Sequence, residues 1–353
     1  MLPAPAILGR VTPLTPLPSQ PEGVAWPTHD WPIASSSPAI DAVVDEAFTS
    51  KDLTETFATV VVQGGRIISE RYAGELARFD GPSVPVEIGT TLTSWSMAKS
   101  MLHAIVGMLV AKGRLALDEP APVPGWAGDE RRAITLRHLL EMRDGLAFTE
   151  DYVDGGSDVI DMLWGRGADD VAAFAAAKPL AATPGERFAY SSGTTNIISG
   201  IVARILGPGE PYERFLRSRL FDPLGMRSAA PGFDGAGTWI ALSFCYATAR
   251  DFARFGTLYL RDGMWDGARL LPDGWVDEAR TQTGIDEEGL RYGAHWWVLD
   301  DGRGTFQAVG YEGQRITVCP ALDAVVVRLG KTDAAHYPDL RAWIGRVLDA
   351  LSG

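Results

Sequence analysis

The chain has 353 residues, 46% of them apolar, and a formal net charge of -13. That is enough apolar mass to bury a large core as one big domain or two interleaved ones, and the acidity excludes a nucleic-acid partner or an anionic membrane surface, both of which need clustered Lys and Arg. Cys245 and Cys319 stand in no C-x-x-C or Cys/His pattern, and His29, His103, His138, His295 and His336 show no H-x-x-x-H or H-E-x-x-H spacing. Buried free thiols in a reducing compartment are expected, with no metal and no cofactor.

Residues 1 to about 38 hold nine of the 23 prolines together with Trp26 and Trp31. This predicts an extended arm, residues 1–37, anchored to the body by its tryptophans. Met1 to Arg10 carries no basic n-region and no unbroken apolar stretch, so export by a signal peptide is not expected and a cytoplasmic protein is. A short helix from about Pro38 to Ser50 precedes a hairpin, Phe57 to Gln63 and Arg66 to Tyr72, turned at Gly64-Gly65. A Gly-, Pro- and Ser-rich loop then leads to a long apolar helix that opens at Ser96.

From about Leu115 to Met226 the pattern is mostly helical, with one helix capped by Thr135 and stopped near Gly145. Another helix begins around Ala247, where Asp251 complements its N-terminus. Strands return at Tyr292–Leu299, Thr305–Val309, Arg315–Val318 and Ala324–Leu329, followed by an amphipathic helix from Tyr337 to Leu351. Strands at both ends of the chain around a helical middle predict an α+β fold: an antiparallel sheet flanked by helices, built from 38–114 and 240–353, with a mostly helical domain at 115–239 and a cleft at the seam.

Ser96 and Lys99 are the first candidate site. On a helix, positions i and i+3 share a face, so hydroxyl and amine come within reach of one another, and an amine buried in an apolar helix loses part of its preference for the charged form. Any Ser followed by Lys three residues on fits S-x-x-K by chance. Thr91, Thr93 and Ser94 just upstream strengthen the catalytic reading, since they can cap the helix and place Ser96 in a first turn rich in unpaired N–H groups. The second candidate is Tyr190, at a helix start after the Pro184-Gly185 turn; it also reads as an ordinary core tyrosine.

Taken with Tyr190-Ser191-Ser192 downstream of Ser96-Met97-Ala98-Lys99, the chain resembles serine hydrolases of the penicillin-binding and class C β-lactamase fold, and within them the 6-aminohexanoate-dimer hydrolase and esterase/amidase branch. Further words in family order are Thr135-Leu136-Arg137-His138-Leu139-Leu140, Leu220-Phe221-Asp222-Pro223-Leu224-Gly225-Met226, Ala249-Arg250-Asp251 and Gly310-Tyr311-Glu312-Gly313-Gln314. The resemblance implies an acyl-enzyme on Ser96, with Lys99 or Tyr190 as base. It also implies an oxyanion hole from the N–H groups of Ser96 and Tyr311. Phe148 to Asp154 resembles the nylon-oligomer branch, where Tyr152 would donate to a leaving nitrogen. Ser192 would orient Lys99 or the substrate, unless it is merely the helix cap.

The family's third element, Lys-Thr-Gly or a His-x-Gly variant, aligns with Ala308-Val309-Gly310. Its cation is missing, and with it the usual grip on a substrate carboxylate. Lys331-Thr332 lies past the expected strand and is discounted. The partner expected is a small amide or ester, acted on by a monomer or homodimer. Esterase, acyltransferase, β-lactamase and DD-peptidase chemistries are alternatives, the last two opposed by the lack of export, and the missing cation also admits a catalytically silent binding protein.

Overall fold

A computed structural model describes residues 13–78, 81–152 and 155–353; the start of the Pro-rich arm, and Val153 and Asp154 of the stretch likened to the nylon-oligomer branch, lie outside them. The arm runs without helix or strand to Ser37, which caps helix α1 (Pro38–Glu46) by accepting from the Ile40 N–H. Its tryptophans do anchor it. Trp31 is buried and donates to the Arg250 carbonyl, and Trp26 packs on Trp265 at 5.1 Å between ring centroids. Arginines of the body grip the arm's carbonyls: Arg254 takes Pro27 and His29, Arg261 takes Pro18, and Arg280 takes Thr15.

Strands β1 (Glu55–Gln63) and β2 (Arg66–Tyr72) form the expected hairpin and join six later strands, β3 (Gly284–Ile285), β4 (Arg291–Tyr292), β5 (Trp297–Val298), β6 (Phe306–Gly310), β7 (Gln314–Cys319) and β8 (Ala324–Lys331). All pairs are antiparallel, in the order β3-β4-β5-β6-β7-β8-β1-β2. Side chains alternate between the faces of this sheet. Val60, Val62, Ile316, Val318, Val325 and Val327 meet the main core, while Val61, Cys319, Ala324 and Val326 meet a second core under α1 and the closing helix. Burial on both sides is why β1 lacks the apolar–polar alternation of a half-exposed strand.

On the main-core side lie α2 (Met97–Ala111), the short α3 (Leu136–Leu140) capped by Thr135, α4 (Ser192–Leu206) and α5 (Ala249–Leu260) capped by Thr248; α6 (Tyr337–Ala350) closes the chain on the other face. Every residue of α2 from Met97 to Leu109 is buried, Lys99 and His103 included. Among the described residues no helix is long and apolar enough to cross a membrane, and both cysteines are free and buried.

Two expectations need correction. The loop before Ser96 contains a ribbon, Glu75–Arg78 against Gly81–Pro85, because Leu76 and Val84 pair across it in a segment whose Gly, Pro and Ser content masked the alternation. The expected strand Tyr292–Leu299 is two short strands folded back on each other. Gly293 N–H bonds the Trp296 carbonyl and His295 sits at φ 57°, a reversal that a run of β-formers conceals.

Gly256 lets α5 lie flat on the sheet, since a Cβ there would stand 2.7 Å from methyls of Ile316 and Val325. Gly256→Val is expected to cost about 1–3 kcal/mol by overpacking. Urea unfolding checks it: the midpoint should fall with the slope unchanged.

Candidate active site

The segment that presents Ser96 is strained and tightly held. Trp95 adopts φ 44°, a region most non-glycine residues avoid, immediately before Ser96, which stands at the N-cap of α2 in helical conformation. None of the expected upstream caps operates. The Ser94 hydroxyl is committed to the carbonyls of Trp95 and Ser243 and accepts from the Cys245 N–H. The Ser96 hydroxyl makes no capping bond, so its Oγ is free to meet Lys99 at 3.0 Å.

Among the described residues the Lys99 ammonium makes three hydrogen bonds: to Ser96 Oγ at 3.0 Å, Ser192 Oγ at 3.1 Å and the Leu242 carbonyl at 3.0 Å. A carbonyl can only accept, so it claims one N–H. Ser192 gives its own proton to Glu150 Oε1 at 2.5 Å, so it claims a second. The remaining position on the nitrogen faces Ser96, as an N–H when Lys99 is charged and as a lone pair when it is neutral. Burial pulls the Lys99 pKa down to about 8, against the opposing pull of the Glu150 carboxylate, so a substantial fraction is neutral near physiological pH.

Tyr190 reaches the same place from the segment before α4. Ser96 lies near enough to act on the charge of its phenol, and Lys99 Nζ lies 5.1 Å from its ring centroid. Burial and the Glu150 charge push the phenol above its usual range, with Ser96 and Arg315 pulling back less strongly, so Tyr190 rests as a neutral phenol. Ser96 and Tyr190 are half-buried, within reach of solvent, whereas Lys99 is buried. Ser192 is not the helix cap. Ser191 fills that role by accepting from Thr194 N–H, which frees Ser192 for Lys99.

Gly310 ends β6 against the turn before Ser96, so close that a Cβ would stand 2.5 Å from the Ser94 carbonyl. Only glycine permits that approach. Tyr311 follows, its ring edge-on to Trp95 at 5.4 Å and stacked on Tyr152 at 5.3 Å. The Tyr152 hydroxyl is turned onto Glu150 at 3.2 Å and Ser192 at 3.3 Å.

Glu150 is the residue that sequence reasoning missed. Its carboxylate gathers the Ser192 N–H at 2.8 Å, the Ser192 hydroxyl and the Tyr152 hydroxyl, so it fixes the hydroxyl that orients Lys99. In a chain with 45 acidic residues it read as surface charge. Its one signal was its place two residues before Tyr152. Among the described residues no group of three His, Cys, Asp or Glu could hold a metal ion.

This arrangement of S-x-x-K helix, half-buried phenol and antiparallel sheet defines a serine hydrolase of the β-lactamase/transpeptidase-like fold. The chain belongs to the Beta-lactamase family, whose model matches residues 44–348. It is 29% identical over 326 residues to the 6-aminohexanoate-dimer hydrolase of Paenarthrobacter ureafaciens, covering 84% of this chain and 80% of that one. Over 210 residues it is 30% identical to Esterase EstB of Burkholderia gladioli, covering 55% of this chain and 51% of the esterase. A Bacillus anthracis structure assigned as a 6-aminohexanoate-dimer hydrolase shares the fold with a TM-score of 0.73 at 20% identity, covering 96% of this chain and 92% of that one.

Exchanging Glu150 for Gln removes the charge that raises the Lys99 pKa, so that pKa falls below about 8. Lys99 must be neutral to accept a proton. The rise with pH in the rate at which a fluorophosphonate labels Ser96 should therefore begin at lower pH in Glu150→Gln than in the wild type; an unmoved or upward-moved limb counts against this coupling.

Proposed function

We propose that this chain hydrolyses small amides or esters through an acyl-enzyme on Ser96, in the manner of the 6-aminohexanoate-dimer hydrolase it is similar to. The observation that carries the reading is the Lys99 nitrogen, desolvated and committed on two sides so that its third position points at the Ser96 oxygen. Neutral Lys99 takes the Ser96 proton as Oγ attacks the carbonyl carbon. The N–H groups of Ser96 and Tyr311 hold the resulting oxyanion.

Tyr190 then donates its phenolic proton to the departing nitrogen or oxygen, and the Lys99 ammonium reprotonates it. The raised Tyr190 pKa supports this division of labour, in which the phenol is the acid and Lys99 the base. Water enters the vacated place, loses a proton to the same pair and attacks the acyl carbon, and Ser96 recovers its hydrogen. Glu150 and Ser192 position Lys99, and Tyr152, whose one hydroxyl proton goes to Glu150, steadies that carboxylate from beside them and lines the substrate site. The cytoplasm is the compartment we propose, supported by two buried thiols that form no disulfide.

The similarity to an esterase supports a second reading in which esters outpace linear amides. A screen of p-nitrophenyl esters, nitrocefin, D-aminoacyl amides and 6-aminohexanoate dimer at equal concentration separates the two. Fluorophosphonate should label the wild type and leave Ser96→Ala unlabelled; an unlabelled wild type would mean a silent binding protein. Lys99→Ala should lower the acylation rate by about 10²–10⁴-fold, the usual worth of a general base. Tyr190→Phe should lower turnover to a similar degree, and normal turnover in that variant removes Tyr190 from the mechanism.

A further inference from the structure

His295 sits at the reversal between β4 and β5, at φ 57° and only 2% exposed. A non-glycine residue keeps that conformation only where its surroundings over-determine it, and here every polar atom of the residue has a partner. The backbone N–H and ring Nδ1 both meet the Leu140 carbonyl, at 3.1 and 2.9 Å. Ring Nε2 meets the Thr195 hydroxyl at 3.2 Å, and the His295 carbonyl accepts from the Ser100 hydroxyl at 2.7 Å.

These partners fix the ring's protons. A carbonyl can only accept, so Nδ1 carries the hydrogen, and Nε2 is left with a lone pair that takes the Thr195 proton. Burial keeps the imidazole neutral by pulling its pKa down to about 3; the Leu140 carbonyl opposes this and the Lys99 charge adds to it. His103, the other titratable group that acts on this ring, is itself pushed well below the usual histidine range by burial.

The places that His295 joins are those on which the catalytic amine depends. Ser100 follows Lys99 on α2, and Thr195 lies one turn beyond Ser192 on the same face of α4. Leu140 ends α3. One residue thus pins the start of α2 to the start of α4, with the end of α3 as its anchor. From a second direction Tyr259 of α5 donates to the Ser100 carbonyl at 3.3 Å, so α2 is held firmly at the residue that His295 grips. The contact that spans the same two helices is Lys99 Nζ to Ser192 Oγ, at 3.1 Å.

We propose that His295 is a positioning residue: its imidazole sets the gap between α2 and α4 and so keeps the Ser192 hydroxyl against the Lys99 nitrogen. The proposal deepens the serine hydrolase reading, and its effect on rate rests on that reading. A relaxed gap admits water to Lys99. Because burial is the largest influence on that amine, wetting it raises its pKa toward the ordinary lysine value and thins the neutral form that takes the Ser96 proton.

The test follows the Lys99 side chain directly, by carbon NMR titration of the full chain, which has only five lysines. Two variants separate the ring's two bonds. His295→Asn places an amide N–H where Nδ1 stands, suits the left-handed backbone and drops Thr195, whereas His295→Gln reaches Thr195 and drops Leu140. The Asn variant should raise the Lys99 pKa from about 8 by about one unit with its melting temperature little changed. The Gln variant should melt lower yet keep the wild-type Lys99 titration. At pH 7 a rise of about one unit slows fluorophosphonate labelling of Ser96 about tenfold. Thr195→Val, of equal shape, should reproduce the Asn result and takes its place if the Asn variant does not fold. An unmoved Lys99 pKa overturns the proposal, as does a shift that merely follows the melting temperature across the variants. If the shift appears and the wild type takes no label, the hydrolase reading fails and the positioning role stands; if the wild type labels and Lys99 does not move, the reverse holds.

Discussion

One amine decides how this molecule is arranged. An ammonium removed from water is expensive unless every N–H finds an acceptor, and here one acceptor comes from the start of its own helix and two from distant parts of the chain, the start of α4 and the Leu242 carbonyl. Each of these must be in place for Lys99 to be tolerable, and together they leave it partly neutral and aimed at a hydroxyl. The strain at Trp95 and the absence of a capping bond at Ser96 belong to the same arrangement, because a relaxed helix start would take the hydroxyl for itself.

The scaffold meets this demand by covering the sheet on both sides. Its main-core face carries the helices that deliver Ser96, Lys99 and Ser192, while its other face is closed by α1 and α6. At Gly310 the missing side chain lets the end of β6 lie against the turn before the nucleophile. The arm adds a further layer, its carbonyls taken by buried arginines of α5, of the residue that follows it and of the helix at Trp275–Arg280.

Much of this was legible in the order of residues. The hairpin announced itself through Gly64-Gly65 between β-branched runs, α3 through Thr135 at its start, α5 through Asp251 in its first turn, and Ser96 with Lys99 through helical spacing alone. What failed to show was anything that depends on a partner remote in sequence. Glu150 gains meaning only when α4 brings Ser192 to it. The ribbon after Ala73 and the reversal at His295 were hidden because composition reports averages, whereas a turn depends on one or two backbone angles.

The pairing of β1 with β8 joins Glu55 to Lys331 and Gln63 to Ala324, making one of the longest ladders of the sheet a contact between segments far apart in the chain. During synthesis the N-terminal hairpin therefore leaves the ribosome long before its neighbour exists, with an apolar edge and seven consecutive buried positions awaiting cover. Such an edge invites pairing with other chains. This fold should depend on chaperones that shield nascent strands, more so than a helical protein of equal size, and that dependence follows from connectivity rather than from any feature of the catalytic centre.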